Sequence, residues 1–328
     1  MLKIGVVGAG HLGKIHLKCL QNLSEQYELV GFFDTNQETS RSVSETFQIP
    51  SFSDYELLIA ACDVVDIVAP TSFHFELAMK AVAAGKHIFI EKPIVSHPNE
   101  AKTLVSAAGQ KGIKVQVGHV ERYNPAFLAM KEMDLQPMFI EAHRLAPFNP
   151  RGTDVSVVLD LMIHDLDIVL NIVKSPVVNL HASGVSVVSK ESDICNARLQ
   201  FENGCVANLT ASRISLKQMR KLRIFQPNAY VSMDFLEKES QIIQLKEEAP
   251  SHGNAFELSL ESGTKWLDVQ MPEALPVNAI EEELKSLHRS IVMDIEPEVT
   301  ANDAAEALQL AFRILDAIQS QQKEGIKA

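Results

Sequence analysis

The chain has 328 residues, with 30 Lys and Arg against 42 Asp and Glu, a formal charge of −12, and 46% hydrophobic residues. This ordinary globular composition excludes collagen-like, low-complexity and disordered chains, and the acidic balance argues against a nucleic-acid reader. The length predicts two domains of about 100–200 residues each. The four cysteines, Cys19, Cys62, Cys195 and Cys205, form no CxxC pair. They therefore support free thiols in a reducing compartment rather than a disulfide framework or a zinc ribbon. The apolar start, Met1 to Val7, is too short for a signal h-region, and no apolar run is long enough to span a membrane. A cytoplasmic chain with no membrane or nucleic-acid partner is expected.

The first 118 residues alternate short β-branched runs with helical patterns. Strands are predicted at Lys3–Val7, Leu29–Phe33, Val64–Val68, His87–Ile90 and Lys114–Val117. Helices are predicted at Leu12–Leu20, Glu38–Phe47, after Asp54, at Phe75–Ala83 and at Asn99–Ala108. Such alternation builds parallel βαβ units and a doubly wound α/β sheet. After Gly118 the rhythm changes. Helices are predicted at Pro125–Met133 and Val157–Val173, then strands at Leu180–Val188, Ala197–Phe201, Val206–Ser212, Lys221–Gln226 and Ala229–Phe235. Consecutive strands without intervening helices point to an antiparallel sheet in an α+β domain. Two late helices follow, Asn278–Ile291 and Asp303–Gln321, the last with Thr300 and Asp303 in a capping-box arrangement. The domain boundary is placed near residues 118–124, giving domains of 1–120 and 121–328. The last helix could pack back on the first domain.

Residues Gly8-Ala9-Gly10-His11-Leu12-Gly13 fit GxGxxG between a strand and a helix, the context that makes this motif a dinucleotide site. Gly8 permits the tight turn, Gly10 lets backbone approach a pyrophosphate, and Gly13 allows close helix–strand packing. The helix start at His11 and Leu12 then offers free N–H groups to the phosphates. Asp34 ends the second strand, 21 residues after Gly13. There a carboxylate can accept both ribose hydroxyls and repel a 2′-phosphate, so NAD is predicted over NADP. The alternative is that Asp34 caps the next helix, and Arg41 nearby would soften the rejection of NADP.

Two further segments, Ala69-Pro70-Thr71-Ser72-Phe73-His74 and Glu91-Lys92-Pro93, follow strand ends, where open α/β sheets bind ligands. A lysine beside a nicotinamide would have its pKa lowered by desolvation and by the cofactor's charge, which suits acid/base work. Taken alone, Lys92 reads as an ordinary surface lysine in a loop. Together GxGxxG, AxPTxxH and EKP resemble the Gfo/Idh/MocA oxidoreductase family, with Asp160-Leu161-Met162-Ile163-His164 matching its D-x-x-x-H helix. The resemblance implies an α/β Rossmann domain followed by an α+β domain with an open-faced, mostly antiparallel sheet. It implies NAD as cofactor, a dehydrogenase acting on CH–OH groups, and cofactor contacts from Thr71, His74, Glu91 and Lys92. It also implies that Lys92 and His164 flank the reacting carbinol, that the Lys92–Pro93 bond is cis, and that the protein is a homodimer or homotetramer.

Read without the family, Asp160, His164, Asp167 and Asn171 form one polar stripe on an otherwise apolar helix. A solvated face is the alternative, although it would ordinarily carry Lys, Glu or Arg. Asp160 and His164 at i, i+4 suit a carboxylate orienting an imidazole general base. A metal site is not predicted, since a third ligand at a persuasive spacing is missing.

The Gly118–Phe127 stretch, with Arg122, Tyr123 and Asn124, is similar to the nucleotide-sugar branch of the family, the UDP-N-acetylglucosamine 3-dehydrogenase type. Arg213, Lys217, Arg220, Lys221 and Arg223 place five basic residues within eleven. A diphosphate needs such compensation, so Arg213 and Arg223 are candidate substrate contacts. A charge-protected strand edge is the other reading. The competing functions are an inositol or unactivated-sugar dehydrogenase and a non-catalytic NAD(H)-binding regulator. His16, His87, His97, His143, His181, His252 and His288 are read as structural or surface residues.

Overall fold

The computed structural model describes residues 1–149, 155–250, 254–260 and 263–325, the last four by backbone alone. His252 lies outside the described residues. The chain forms two compact units, one of Met1–Tyr123 with Val277–Gln309 and one of Asn124–Pro276 with Leu310–Ala328.

In chain order, the first unit contains β1 (Leu2–Val7), α1 (His11–Asn22), β2 (Tyr27–Phe33), α2 (Gln37–Phe47), α3 (Tyr55–Ala61), β3 (Val64–Ile67), α4 (Thr71–Ala83), β4 (His87–Glu91), α5 (Pro98–Gln110) and β5 (Val115–Gly118). The strands form one parallel sheet in the order β2-β1-β3-β4-β5. Cover on both faces explains why β3, β4 and β5 are buried almost throughout, whereas the edge strand β2 exposes Glu28. Local chemistry sets the helix starts. The Asn36 side chain accepts from Thr39 N at the head of α2, and Asp54 accepts from Glu56 N at the head of α3. Both satisfy an N–H that the helix itself leaves open.

The second unit starts at Asn124, which caps the short α6 (Pro125–Leu128). β6 (Phe139–Leu145) follows. A π-helical turn, Val158–Met162, then leads into α7 (Ile163–Val173). Eight more strands complete a nine-stranded sheet: β7 (Val177–Val185), β8 (Ile194–Phe201), β9 (Val206–Ser212), β10 (Met219–Gln226), β11 (Ala229–Asp234), β12 (Glu239–Lys246), β13 (Ala255–Leu260) and β14 (Gly263–Gln270). Their order is β13-β14-β12-β11-β10-β6-β9-β8-β7. Every pairing is antiparallel except β6 with β9. One sheet face buries Ala142, Leu199, Leu209, Leu222, Ile224, Val231 and Met233 in a single core with Leu166, Val169 and Val173 of α7. Each such side chain contributes about 1.5–3 kcal/mol on burial. The opposite face carries Phe139, Phe225 and Tyr230 in successive ring contacts of 5.9 and 5.1 Å.

α8 (Ala279–Met293) belongs to the first unit, and α9 (Ala301–Gly325) starts there and ends in the second. Residues 277–309 therefore group with 1–123 and not with 124–276, whereas the sequence reading placed them in a domain of 121–328. The reason is burial and pairing. Leu284 and Leu287 enter the first unit's apolar core. Tyr27 Oη donates to the Leu284 carbonyl at 2.8 Å, Gln116 Nε2 donates to the Glu283 carbonyl, and Val117 N donates to the Val299 carbonyl. The Thr300–Asp303 capping box is formed: each residue's N–H donates to the other's side chain, at 2.9 and 3.0 Å.

Candidate functional site

The glycine loop after β1 is built as its chemistry demands. Gly8 has φ +93°, and a Cβ there would stand 2.8 Å from Ala69 N and from the Val68 carbonyl. At Gly13 a Cβ would lie 2.0 Å from the Gly8 carbonyl oxygen. Gly10 is different. It is the N-cap of α1 without a side-chain cap, and a Cβ there meets nothing within 4 Å. Glycine suits an N-cap, and the missing side chain leaves open space at the head of α1. The first-turn N–H groups of α1 and the helix dipole face that space.

Asp34 ends just beyond β2. Its Oδ2 accepts from Ala9 N at 2.7 Å and its Oδ1 from Asn36 N at 2.8 Å. The α2 N-cap is Asn36, so the helix-capping alternative for Asp34 does not hold. The carboxylate ties the glycine loop to the strand end and keeps lone pairs for a diol. A cleft of about 750 Å³ opens beside it, lined by Gly8, Gly10, His11, Leu12, Asp34 and Phe73 among others. Tyr55, stacked on Phe33 at 6.2 Å, adds an aromatic wall. The size, the uncapped helix start and the terminal carboxylate fit NAD.

The second and third motifs close the neighbouring strands. Pro70 precedes α4, whose first residue is Thr71. His74 is buried, with Nδ1 3.0 Å from the Pro93 carbonyl and Nε2 2.8 Å from the Ala69 carbonyl. Burial lowers its pKa. With one proton on the ring, His74 donates to one of these carbonyls and packs against the other. Glu91 ends β4, and its Oε2 accepts from Lys92 N at 3.2 Å. The Lys92–Pro93 bond is cis.

In the second unit, Asp160 lies in the π-helical turn and His164 in the first turn of α7. The expected single α-helix over Val157–Val173 is thus replaced by a wider turn leading into α7, a feature frequent at functional sites. Of the polar stripe, Asp167 is buried, while Asp160, His164 and Asn171 are half-buried. Asp160 Oδ2 lies 4.0 Å from an Arg213 guanidinium nitrogen, and Arg213 also donates to the Val155 carbonyl. One residue after His164, Asp165 is gripped by Arg144 through Nε and Nη2 at 2.8–3.1 Å, with both partners buried.

The basic run does not form one patch. Arg213 is buried beside Asp160. Lys221 and Arg223 lie on the opposite sheet face from the buried Leu222 and Ile224, paired with Asp234 at 3.1 Å and Glu141 at 3.5 Å. Arg213 follows the end of β9, whereas Lys221 and Arg223 share one face of β10, so the residues that the sequence placed together sit on different segments. Asn124 commits both amide atoms to structure, donating to the Phe235 carbonyl and accepting from Ala126 N. Arg122 and Tyr123 are buried, and burial raises the Tyr123 phenol. Sequence reasoning missed two buried ionic groups, Arg144–Asp165 and His16 with Asp66 and Glu91. A signal for the second was available: Asp66 is the one charge in the apolar strand Val64-Val65-Asp66-Ile67.

The fold and cleft define a dinucleotide-binding oxidoreductase architecture. Residues 2–119 match the model of an oxidoreductase family with an NAD-binding Rossmann fold, and residues 139–230 match the GFO/IDH/MocA C-terminal domain. The chain is 39% identical over 236 residues to a UDP-N-acetylglucosamine 3-dehydrogenase of Acidithiobacillus ferrooxidans, covering 72% of this chain and 74% of that protein. A solved structure of UDP-N-acetylglucosamine 3-dehydrogenase from the same organism superposes with a TM-score of 0.87 at 31% identity, over 97% of this chain and 98% of that one. An inositol 2-dehydrogenase/D-chiro-inositol 3-dehydrogenase of Halalkalibacterium halodurans is 29% identical over 51% of each chain. Levoglucosan dehydrogenase in complex with NADH shares the fold, with a TM-score of 0.84 at 19% identity over 97% of each chain. The chain belongs to the Gfo/Idh/MocA family of NAD-binding oxidoreductases.

Proposed function

We propose that this oxidoreductase oxidises a ring hydroxyl of a UDP-N-acetyl sugar to a ketone. The observation that carries the substrate class is the likeness to UDP-N-acetylglucosamine 3-dehydrogenase over nearly the whole chain. NAD, when bound, supplies the hydride acceptor. The glycine loop, His11, Leu12, Asp34 and Thr71 would hold and orient it, with the buried His74 and Glu91 supporting the turns behind them. His164 accepts the proton of the substrate hydroxyl, and the Lys92 ammonium stabilises the negative charge that develops on that oxygen. Asp160 positions the imidazole, and Arg213 in turn steadies Asp160, at 4.0 Å. Arg122 and Tyr123 border the substrate. Arg223 leaves this reading because Glu141 already faces it.

The setting we infer is the cytoplasm, in keeping with four free cysteines. No helix among the described residues is long and apolar enough to cross a membrane. A homodimer or homotetramer would cover the aromatic sheet face, where Phe225 and Phe256 are exposed.

The test is single-turnover NADH formation with UDP-N-acetyl sugars, inositol and free hexoses. A signal confined to UDP-N-acetyl sugars supports the reading. A signal with neutral polyols alone replaces it with the inositol-type alternative. Lys92→Met and His164→Ala should each slow the step by about 100-fold or more. Near-normal transfer in both variants refutes the assigned roles.

A further inference from the structure

Asp66 is fully buried inside β3, between Val65 and Ile67. A carboxylate covered on both sheet faces needs a charged or hydrogen-bonding partner. That partner is His16 of α1, also fully buried. His16 Nδ1 stands 2.9 Å from Asp66 Oδ2, and Nε2 stands 3.1 Å from Glu91 Oε1. An imidazole facing a carboxylate through each nitrogen must donate from both, and only the imidazolium does. Burial opposes that charge, but Asp66 and then Glu91 outweigh it and hold the pKa well above its ordinary value. The edge of Phe89 closes the ring's surroundings at 5.5 Å.

The contacts continue outward. Glu91 Oε2 accepts from Lys92 N at 3.2 Å. On β5, a Cβ at Gly118 would stand 2.7 Å from Glu91 Oε1. The carboxylate that closes β4 is therefore gripped by His16, confined by the Gly118 backbone, and bonded to the main chain of the next residue. Asp66 is the anchor at the buried end. Its Oδ1 finds no donor among the described residues, so His16 is its hydrogen-bonding partner.

We propose that His16 is a positioning residue for the reaction: clamped as a cation between Asp66 and Glu91, it fixes the carboxylate that holds the Lys92 main chain and so sets where the Lys92 ammonium stands. This rests on the reading of Lys92 as catalytic. Single-turnover hydride transfer is compared in wild type, H16Q, K92M and H16Q/K92M, with folding checked by circular dichroism. If His16 acts through Lys92, H16Q slows transfer by about 10- to 100-fold in wild type but by less than about 2-fold in the K92M background. Equal losses in both backgrounds overturn the proposal, because a merely structural residue acts independently of Lys92. A second readout does not depend on turnover. In protein whose lysines are ¹³C-methylated, the Lys92 resonance and its titration midpoint should move in H16Q; an unmoved Lys92 overturns the proposal. Should K92M keep full activity, the catalytic reading of Lys92 fails, while the resonance comparison still decides whether His16 positions it. If H16Q does not fold, E91Q keeps the side chain's shape, weakens the clamp, and should show the same non-additivity.

Discussion

Replacing Asp34 with Ala separates two consequences of one carboxylate. The wild-type group accepts from Ala9 N at 2.7 Å and from Asn36 N at 2.8 Å. Ala9 is fully buried, so its N–H is left without an acceptor in the variant; Asn36 is exposed, and water replaces the lost bond there. A buried donor left open costs about 1–3 kcal/mol, and hydrogen bonds to charged groups are worth about 1.5–3 kcal/mol. The first unit should therefore lose about 2–4 kcal/mol even without cofactor. Asp34→Asn keeps one oxygen for Ala9 N and should lose about 1 kcal/mol. Amide hydrogen exchange across the first unit measures this without assuming that a chain of two units unfolds in one step. Direct titration gives the second consequence. Losing the ribose acceptor should weaken NAD by about 10- to 100-fold in Asp34→Ala, weaken NADP much less, and so shift the preference. Unchanged exchange around Ala9 together with an unchanged NAD-to-NADP ratio would refute both roles.

The remaining predictions follow from single contacts. Gly13→Ala forces a Cβ to within 2.0 Å of the Gly8 carbonyl; it should destabilise the first unit by about 1–3 kcal/mol and abolish NAD binding, as read by calorimetric titration. Arg144→Met strands the buried Asp165 carboxylate and should cost about 3–5 kcal/mol in urea unfolding, whereas Arg144→Met with Asp165→Leu should recover most of it. The folded His16 pKa is raised above its ordinary 6.5, so unfolding releases a proton. The stabilisation is complete below about pH 6.5 and declines as pH rises through the folded value, by at most about 1.4 kcal/mol per pH unit. Unfolding of wild type and His16→Gln from pH 6 to 10 should show that slope only in wild type.

The first unit was legible because its signals are local and redundant. Each strand is an apolar run, each helix has a start or stop residue, and the observed strand ends fall within a few positions of those expected. The second sheet was legible only in part. β6 escaped because Phe139-Ile140-Glu141-Ala142-His143-Arg144-Leu145 hides its period under three charged or titratable residues. One of these, Arg144, points into the core because Asp165 meets it there. β12 and β14 carry adjacent polar residues, Glu239-Ser240-Gln241 and Thr264-Lys265, that break the period in the same way. The candidate motifs at residues 8–13, 34 and 91–93 were readable as spacing. The buried contacts of His16 were not, because its partners come from β3 and β4, fifty and seventy-five residues away. The basic run misled for a related reason: its members fall on different segments, Arg213 beyond β9 beside Asp160, and Lys221 and Arg223 on β10 facing Asp234 and Glu141.

The divided first unit also bears on how the protein is made. Its sheet is encoded in the first 118 residues, yet Tyr27, Gln116 and Val117 find their partners at Leu284, Glu283 and Val299. During synthesis at about 5–20 residues per second, the amino-terminal sheet waits many seconds for the segment that completes it. Throughout that interval the apolar surface destined for Leu284 and Leu287 stays uncovered. A fragment cut at Tyr123 keeps that surface uncovered permanently, so the first 123 residues do not carry the whole of their own core.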